Sequence, residues 1–542
     1  MFYQSGWTSL AKDLLHKTRP SNTGNAYNVN MDNGNINNND KSNDNNNYAR
    51  CVREHEFTYD QLHQAYLACR KRKRNTINAL RFEADLERNL ERLVYQLNNR
   101  TYRPARSVCF TILKPKPRER FAAHAQERLS HHGPYNYLNP TFEKIFIHDS
   151  FACRKNKGTL AAVKRLQKQT RSITQNNQKR AYYLQLDIHN FFMSINKHIL
   201  YNIVKKKINH EHMFWLAKTL IFHDPTERYL QKSTYSIRSR IPKHKSLLNT
   251  KKNTGLPIGN LTSQFFANVY LNELDQFVKH RLKAKYYVRY VDDFVLLHES
   301  KEQLEKWKQE IDQFVNDELS LKLKPTTTLQ LISNGINFVG YITRPCYLLP
   351  RNRNVHNLKQ TPKAHEKKCI KISTNQLILH YEDIPKLTRS LNSYFGHLRY
   401  AKSKRLMQSI KDRFFFLQLF FLFWDFKVID RFANKKTTFK NQYEHFRAVS
   451  QKSILLLQVG KFYSVLHHDA LLISKTFDYY VNTTRNYAYI DIPEKEVAFV
   501  TSALTDMQKT VIIVKQIDSE RPIKRRLDKV IFPKIYPIKP TE

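Results

Sequence analysis

Three carboxylates in two segments of the chain have the spacing and surroundings to do chemistry. The first segment reads Tyr182-Tyr-Leu-Gln-Leu-Asp187-Ile-His-Asn-Phe-Phe192: an apolar run ends in an acid, and an aromatic pair follows four and five residues later. The second reads Tyr286-Tyr-Val-Arg-Tyr-Val-Asp292-Asp293-Phe-Val-Leu-Leu297, an apolar run broken at its middle by two adjacent acids. A lone Asp-Asp pair is ordinarily a solvated turn. Here apolar flanks on both sides predict a β-hairpin with Val291–Asp293 at or near its tip. Carboxylates clustered between strands are costly unless cations neutralise them. Two Mg²⁺ ions would do so, with Asp187 and Asp292 as the natural bridging ligands. Metal pairs about 3.5–4 Å apart serve in-line phosphoryl transfer, activating an attacking 3′-hydroxyl and stabilising a leaving pyrophosphate.

The elements that must position these acids follow from the patterning. Ala181–Ile188 and Tyr286–Leu297 read as strands bounded by polar segments, and Gly335–Ile342 is a third run that matters. From Val108 to about Tyr341, short β-rich runs alternate with helical stretches. Phe57–Asn99 carries Phe82, Leu86, Leu90 and Leu93 at helical spacing, and Tyr381–Arg413 is basic and helical. Phe414–Trp424, interrupted by Gln418, reads as a buried helix. Phe432–Lys436 looks like a junction, and from Ser453 a new apolar strand opens a final unit of mixed character. Ser21–Asn47 is 13 Asn in 27 residues, which cannot bury apolar area and is expected to be a disordered spacer. Arg70–Arg74 is either a solvated helix face or a nucleic-acid contact.

Composition narrows the function classes. Lys plus Arg number 91 against 47 Asp plus Glu in 542 residues, a net charge of +44, which calls for a polyanionic partner rather than a small metabolite. Aromatic content of 12% and apolar content of 41% exclude a wholly disordered basic tail. The first residues lack the pattern of a signal peptide, and no apolar stretch reaches the roughly 20 residues that span a bilayer. Six scattered cysteines without a CxxC pair speak against a zinc ribbon or a disulfide framework and fit a reducing, cytoplasmic setting. With 11 glycines there is neither a Walker A nor a GxGxxG pattern.

The order of these segments resembles the palm of a reverse transcriptase. Gly255-Leu-Pro-Ile258-Gly259-Asn-Leu-Thr-Ser263-Gln264, between the acidic segments, is similar to the family's third palm motif. Gly335-Ile-Asn-Phe-Val-Gly340-Tyr341 resembles the lead into the thumb, and Lys114-Pro-Lys-Pro-Arg118 and Phe146–Thr159 resemble finger motifs. The likeness covers roughly residues 55–410. The third motif and Ser393-Tyr-Phe-Gly-His-Leu398 look most like bacterial retron-type enzymes, closest to diversity-generating retroelements and related unclassified or defence lineages. The resemblance implies an α+β right-hand polymerase with an antiparallel-sheet palm: N-terminal segment 1–20, spacer 21–47, helices and fingers 48–180, palm 181–345 and thumb 346–430. It implies that Asp187, the Ile188 backbone carbonyl, Asp292 and Asp293 hold two Mg²⁺ (or Mn²⁺) ions. Arg118 and Arg154 resemble the cations that hold the dNTP triphosphate, with general backbone binding as the alternative. Phe192 resembles the ring that rejects a ribose 2′-hydroxyl, or is core. Ser263 and Gln264 open a helix, with Phe265, Phe266, Val269, Tyr270, Leu274 and Phe277 on its apolar face, expected along the template and nascent pair. Ile258 and Gly259 lie by that pair; Ile258, where many relatives carry Gln, implies lower fidelity or simple packing. One departure stands out. The Lys that family members place just after Pro325 is Thr326-Thr327 here, leaving Lys322 or Lys324 as the candidate general acid.

Residues 437–542 are similar to the first domain of MutS mismatch-recognition proteins. The likeness rests on Gln442-Tyr443, Gly460-Lys-Phe462-Tyr463-Ser464, Ile492-Pro493 and Thr510–Gln516. It implies that Phe462, beside Tyr463, wedges into a duplex, or is core. Ser464 stands where that family has Glu, so reading of individual mispairs is not implied. The expected function is RNA-directed DNA polymerisation with RNA template, DNA primer, dNTPs and an accessory protein or non-coding RNA as partners, in a retroelement or antiviral defence. The alternatives are a catalytically silent nucleic-acid-binding protein and an RNA-templated RNA polymerase. Because every palm and finger motif lies upstream, a chain ending near Lys436 is expected to keep primer extension.

Overall fold

The computed structural model describes residues 57–70, 77–113, 116–373, 376–434, 436, 438–484, 487–517 and 523–533. The 1–20 segment, the Asn-rich spacer, Lys71–Arg74, Lys114 and the tail from Lys534 lie outside the described residues.

The apolar runs that carry the acids fold into one four-stranded antiparallel sheet. Its order is Tyr286–Tyr290, Asp293–His298, Tyr182–Asp187, Thr328–Leu331. Side chains alternate across a strand, so a run that is apolar at every position must bury both faces. Leu184, Leu186, Tyr287, Phe294 and Leu296 pack on one side against the helices Leu261–Gln276 and Lys301–Asp317. Tyr183, Val288, Val295 and Leu297 pack on the other against the helix Thr159–Ile173. In register, Asp187 lies opposite Asp293, and Asp293 opposite Tyr290, so all three acids meet at one end of the sheet.

The helix expected to open at Ser263 begins at Leu261, and 12 of its residues are buried. The expectation of a helix apolar on one face is corrected. Phe265, Phe266, Val269, Tyr270 and Leu274 are buried, but so are Thr262, Asn268 and Asp275 on other sides, and Phe277 lies beyond its last residue. The polar buried residues have partners, such as Asn268 on the Ala152 carbonyl at 2.7 Å.

A smaller sheet pairs Arg118–Ala122 antiparallel with Ser107–Ile112, which pairs parallel with Tyr229–Gln231. The last strand belongs to residues 223–252, a basic segment between the two acidic runs. The run Gly335–Ile342 is a hairpin of Ile336–Phe338 and Tyr341–Thr343. A Cβ on Gly340 would sit 3.1 Å from the His397 ring, and that ring stacks on Tyr341 at 4.1 Å. The two motifs, 335–341 and 393–398, therefore dock on each other.

Two expectations are overturned in the C-terminal third. Phe414–Trp424 is not one buried helix: a short helix, Phe416–Phe420, gives way to a hairpin of Phe421–Trp424 and Lys427–Asp430. Consecutive aromatics favour extended chain, Asp425 supplies the turn at φ +49°, and Trp424 is left exposed. The boundary near residue 437 does not separate two folds. One eight-stranded sheet runs Ile370–Ile372, Gln376–His380, Arg525–Pro533, Val511–Gln516, Ile454–Val459, Phe462–Leu466, Ala488–Pro493, Asn482–Thr483. Its first two strands come from the region expected as thumb. Gln376–His380 pairs antiparallel with Lys529–Pro533. Leu379, Leu391, Phe416 and Phe420 share a core with Leu455, Leu457, Val514 and Phe532. Sequence patterning marks the apolar strand after Ser453 but neither the Gln376–His380 strand nor its partner, so this pairing was not legible.

Among the described residues no helix is long and apolar enough to cross a membrane, and the cysteines are free thiols.

Candidate active site

Asp187 ends a central strand, and Asp292 and Asp293 come from the adjacent hairpin turn. Tyr290 pairs with Asp293, so the turn holds just Val291 and Asp292. Val291 has φ +57°, a conformation that is costly for a β-branched residue. What holds it is Arg289, which is fully buried. Its guanidinium donates to both carboxylate oxygens of Asp275 at 2.7 and 2.6 Å, to the Val291 carbonyl at 2.9 Å and to Ser150 Oγ at 3.1 Å. Tyr287 OH donates to the same Asp275 at 2.8 Å. Sequence reading missed this pair; the signal was an Arg inside the apolar run Tyr286–Leu297.

The site is desolvated and short of positive charge among its own ligands. Burial, then the Asp187 charge, pushes Asp292 up to about 6. Burial pushes Asp293 up to about 7, against a 2.9 Å hydrogen bond from Gln185 Nε2. Asp187 Oδ2 accepts from Lys324 Nζ, while its buried Oδ1 has no partner among the described residues. The Ile188 N–H donates to the Asp292 carbonyl at 3.3 Å, bringing the Ile188 backbone to the acids. As placed, no three acidic, His or Cys side chains of the described residues form a ready cage. The donor set nevertheless fits hard cations: three converging carboxylates, two of them resisting ionisation, and one orphaned oxygen.

Of the two candidate acids, Lys324 reaches the carboxylates. Lys322 is exposed and contributes its carbonyl, which accepts the His189 N–H at 2.8 Å. Arg118 is exposed and lowers the Asp292 pKa through its charge. Arg154 is corrected: its guanidinium is spent on Glu143 at 2.8 Å and on the Ile147 and Ser150 carbonyls at 2.7 and 2.9 Å. It braces its own loop. Phe192 is half-buried against the core, edge-on to Phe191, and its carbonyl accepts the Leu256 N–H at 2.8 Å. Thus the Gly255–Gln264 segment is tied to the turn after Asp187. Ile258 is half-buried, Gly259 is exposed at φ +124°, Ser263 is buried and Gln264 is exposed. In the C-terminal sheet, Phe462 stands 47% exposed beside the Gly460 turn, whereas Tyr463 is core. Phe462 is therefore not a core residue, whereas the Tyr463 ring is buried. Ser464 is buried and donates to Asp491 Oδ1 at 2.6 Å.

Residues 125–343 match the family model described as reverse transcriptase (RNA-dependent DNA polymerase), and residues 437–534 match that of MutS domain I. No curated protein matches the chain. Among solved structures, apo telomerase from Candida tropicalis, truncated from its C-terminal domain, is similar at 12% identity and a TM-score of 0.35. That match covers 45% of this chain and 55% of the other, so the chain spans about half the telomerase length. The 125–343 match is thus to a reverse transcriptase domain, a class that works with divalent metal ions.

Proposed function

We propose that the polymerase domain adds dNTPs to a DNA primer on an RNA template by two-metal phosphoryl transfer, as a bacterial retron-type enzyme of a retroelement or a phage-defence system. The observation that carries this reading is the convergence of Asp187, Asp292 and Asp293 at one sheet end with Asp187 Oδ1 unsatisfied. Those three acids and the Ile188 carbonyl would hold two Mg²⁺ ions, or Mn²⁺, which when bound supply activation of the 3′-hydroxyl and charge neutralisation at the pyrophosphate. The chain's own residues do the rest. Arg289 fixes the turn that presents Asp292. Lys324, the ammonium at Asp187, is the proton donor to the leaving pyrophosphate. Phe192 bounds the sugar, and Ile258, Gly259 and Gln264 border the template strand. The four-stranded sheet is the palm, the 107–122 hairpin belongs to the fingers and 346–430 to the thumb.

The 437–534 unit is a duplex-sensing module led by Phe462. The partners are an RNA template, a DNA primer, dNTPs and an accessory protein or non-coding RNA, and sequencing the nucleic acid that copurifies tests the biological role. The catalytic reading is tested by primer extension with Mg²⁺ or Mn²⁺. Asp187→Ala and Asp292→Asn should each lower extension on the order of 1,000-fold, the loss of several kcal/mol of charge stabilisation. Nucleic-acid binding should persist. Wild-type extension by Asp187→Ala, or none by the native chain with either metal and either dNTP or rNTP, rejects it.

A further inference from the structure

The basic segment 223–252 has no place in the mechanism above, yet part of it comes up against the catalytic end of the sheet. Its turn Lys243–Lys245 brings the His244 ring over His189 at a centroid distance of 6.1 Å and an interplanar angle of 23°. His189 is two residues from Asp187. The turn is held from behind. Ser246 Oγ donates to both oxygens of buried Glu119 at 3.0 and 3.1 Å, and the Leu247 N–H donates to one of them at 2.8 Å. Leu247 is buried with Cys109 and Phe121, and its Cδ1 lies where a Cβ on Gly255 would be, at 2.7 Å. One short turn is therefore clamped between the strand that carries Arg118, the turn after Asp187, and the start of the Gly255–Gln264 segment.

The clamp concentrates positive charge. Lys116 is lowered by burial and by the charges of Lys245, Arg353, Lys324 and Arg118. Lys245 and Lys116 are exposed, and neither these two nor Arg118 has an acidic partner among the described residues. Glu119, the nearest acid in sequence, is spent on the backbone and hydroxyl of the turn. Like charges packed together without an anion repel, so the arrangement is built for a polyanion that arrives later. Two contacts join this cluster to the acids: Lys324 bonds Asp187, and the His244 ring beside Lys245 faces His189, two residues from Asp187, so a polyanion held there meets the reacting end.

We propose that the Lys243–Lys245 turn is the outer wall of the nucleotide site and that Lys245 binds the triphosphate tail of the incoming dNTP. The proposal rests on the polymerase reading. A charge-assisted contact of an ammonium to phosphate is among the stronger hydrogen bonds, and its loss falls on nucleotide binding.

The test is steady-state extension of an oligo(dT) primer on a poly(rA) template by the full-length protein, with dTTP varied. Lys245→Gln should raise the KM for dTTP about tenfold and change kcat less than about threefold. Lys245→Arg should recover most of the loss, since it restores the charge. Lys252→Gln, an exposed lysine of the same segment beyond the clamp, should match the native protein. The primer–template Kd should be unchanged in all three. An unaltered KM in Lys245→Gln overturns the proposal. So does a weakened primer–template Kd with the dTTP KM unmoved, which would assign the cluster to the nucleic-acid backbone. A native protein that extends no primer at saturating dTTP rejects the polymerase reading instead.

Discussion

Asp292 and Asp293 have folded-state pKa values above the ordinary 3.8, near 6 and 7. A raised carboxylate disfavours the charged form in the fold. The metal-free protein therefore loses stability at this site as pH rises from about 4 to about 7. A divalent ion that binds the ionised carboxylates recovers that loss and competes with their protons. Mg²⁺ should accordingly raise the Tm more at pH 7.5 than at pH 5.5, and Asp293→Asn should shrink the difference. An equal Mg²⁺ shift at both values would separate these acids from the metal. Arg289 gives a second prediction. Arg289→Met leaves Asp275 buried without its cation and should cost about 3–5 kcal/mol. Pairing it with Asp275→Leu should return much of that stability but not the activity, because the Val291 carbonyl and its strained turn stay unheld. Chemical denaturation and primer extension on the two variants read these separately. Recovery of full activity in the double variant would make Arg289 purely structural.

At the scale of elements, the strands that carry the acids were legible because an acid that ends or splits an apolar run is out of place unless it has a cation to hold. The hairpin tip at Val291–Asp292 followed from the same pattern. What patterning could not show was where polar side chains go after folding. Arg154 looked like a phosphate contact by position, yet Glu143 lies one loop away and takes it. The Leu261–Gln276 helix looked one-sided, yet Asn268 and Asp275 find buried partners and let it bury all round. The Phe462 hairpin carries a prediction of its own. An aromatic half out of its sheet is available to insert between bases, and stacking of that kind is worth on the order of 1–3 kcal/mol per base. Phe462→Ala in the full chain should weaken binding to looped or mispaired duplex about 5–150-fold. Matched duplex should change little, at fixed salt because the basic surface makes affinity salt-dependent. Equal affinity for all duplexes in both proteins would leave the hairpin without a nucleic-acid role.

For the whole molecule, the shared eight-stranded sheet revises what the order of motifs implied. A chain ending near Lys436 keeps every catalytic motif, but it strips the Gln376–His380 strand of its C-terminal neighbour and opens the core around Leu379, Phe416 and Phe420. Such an edge is an invitation to aggregate. The truncated protein should be degraded by protease between 346 and 436 at doses the full chain resists, and its primer extension should fall with that loss. A protease-resistant, fully active 1–436 chain would show that the two halves of the sheet fold apart. The same pairing has a temporal side. His380 and its partner Lys529 are about 150 residues apart, so at least that much chain must be synthesised before the strand finds its place. During translation the Gln376–His380 strand therefore waits with one edge open. Only when residues 525–533 have left the ribosome can that edge be covered, so a message cut short before them leaves it exposed.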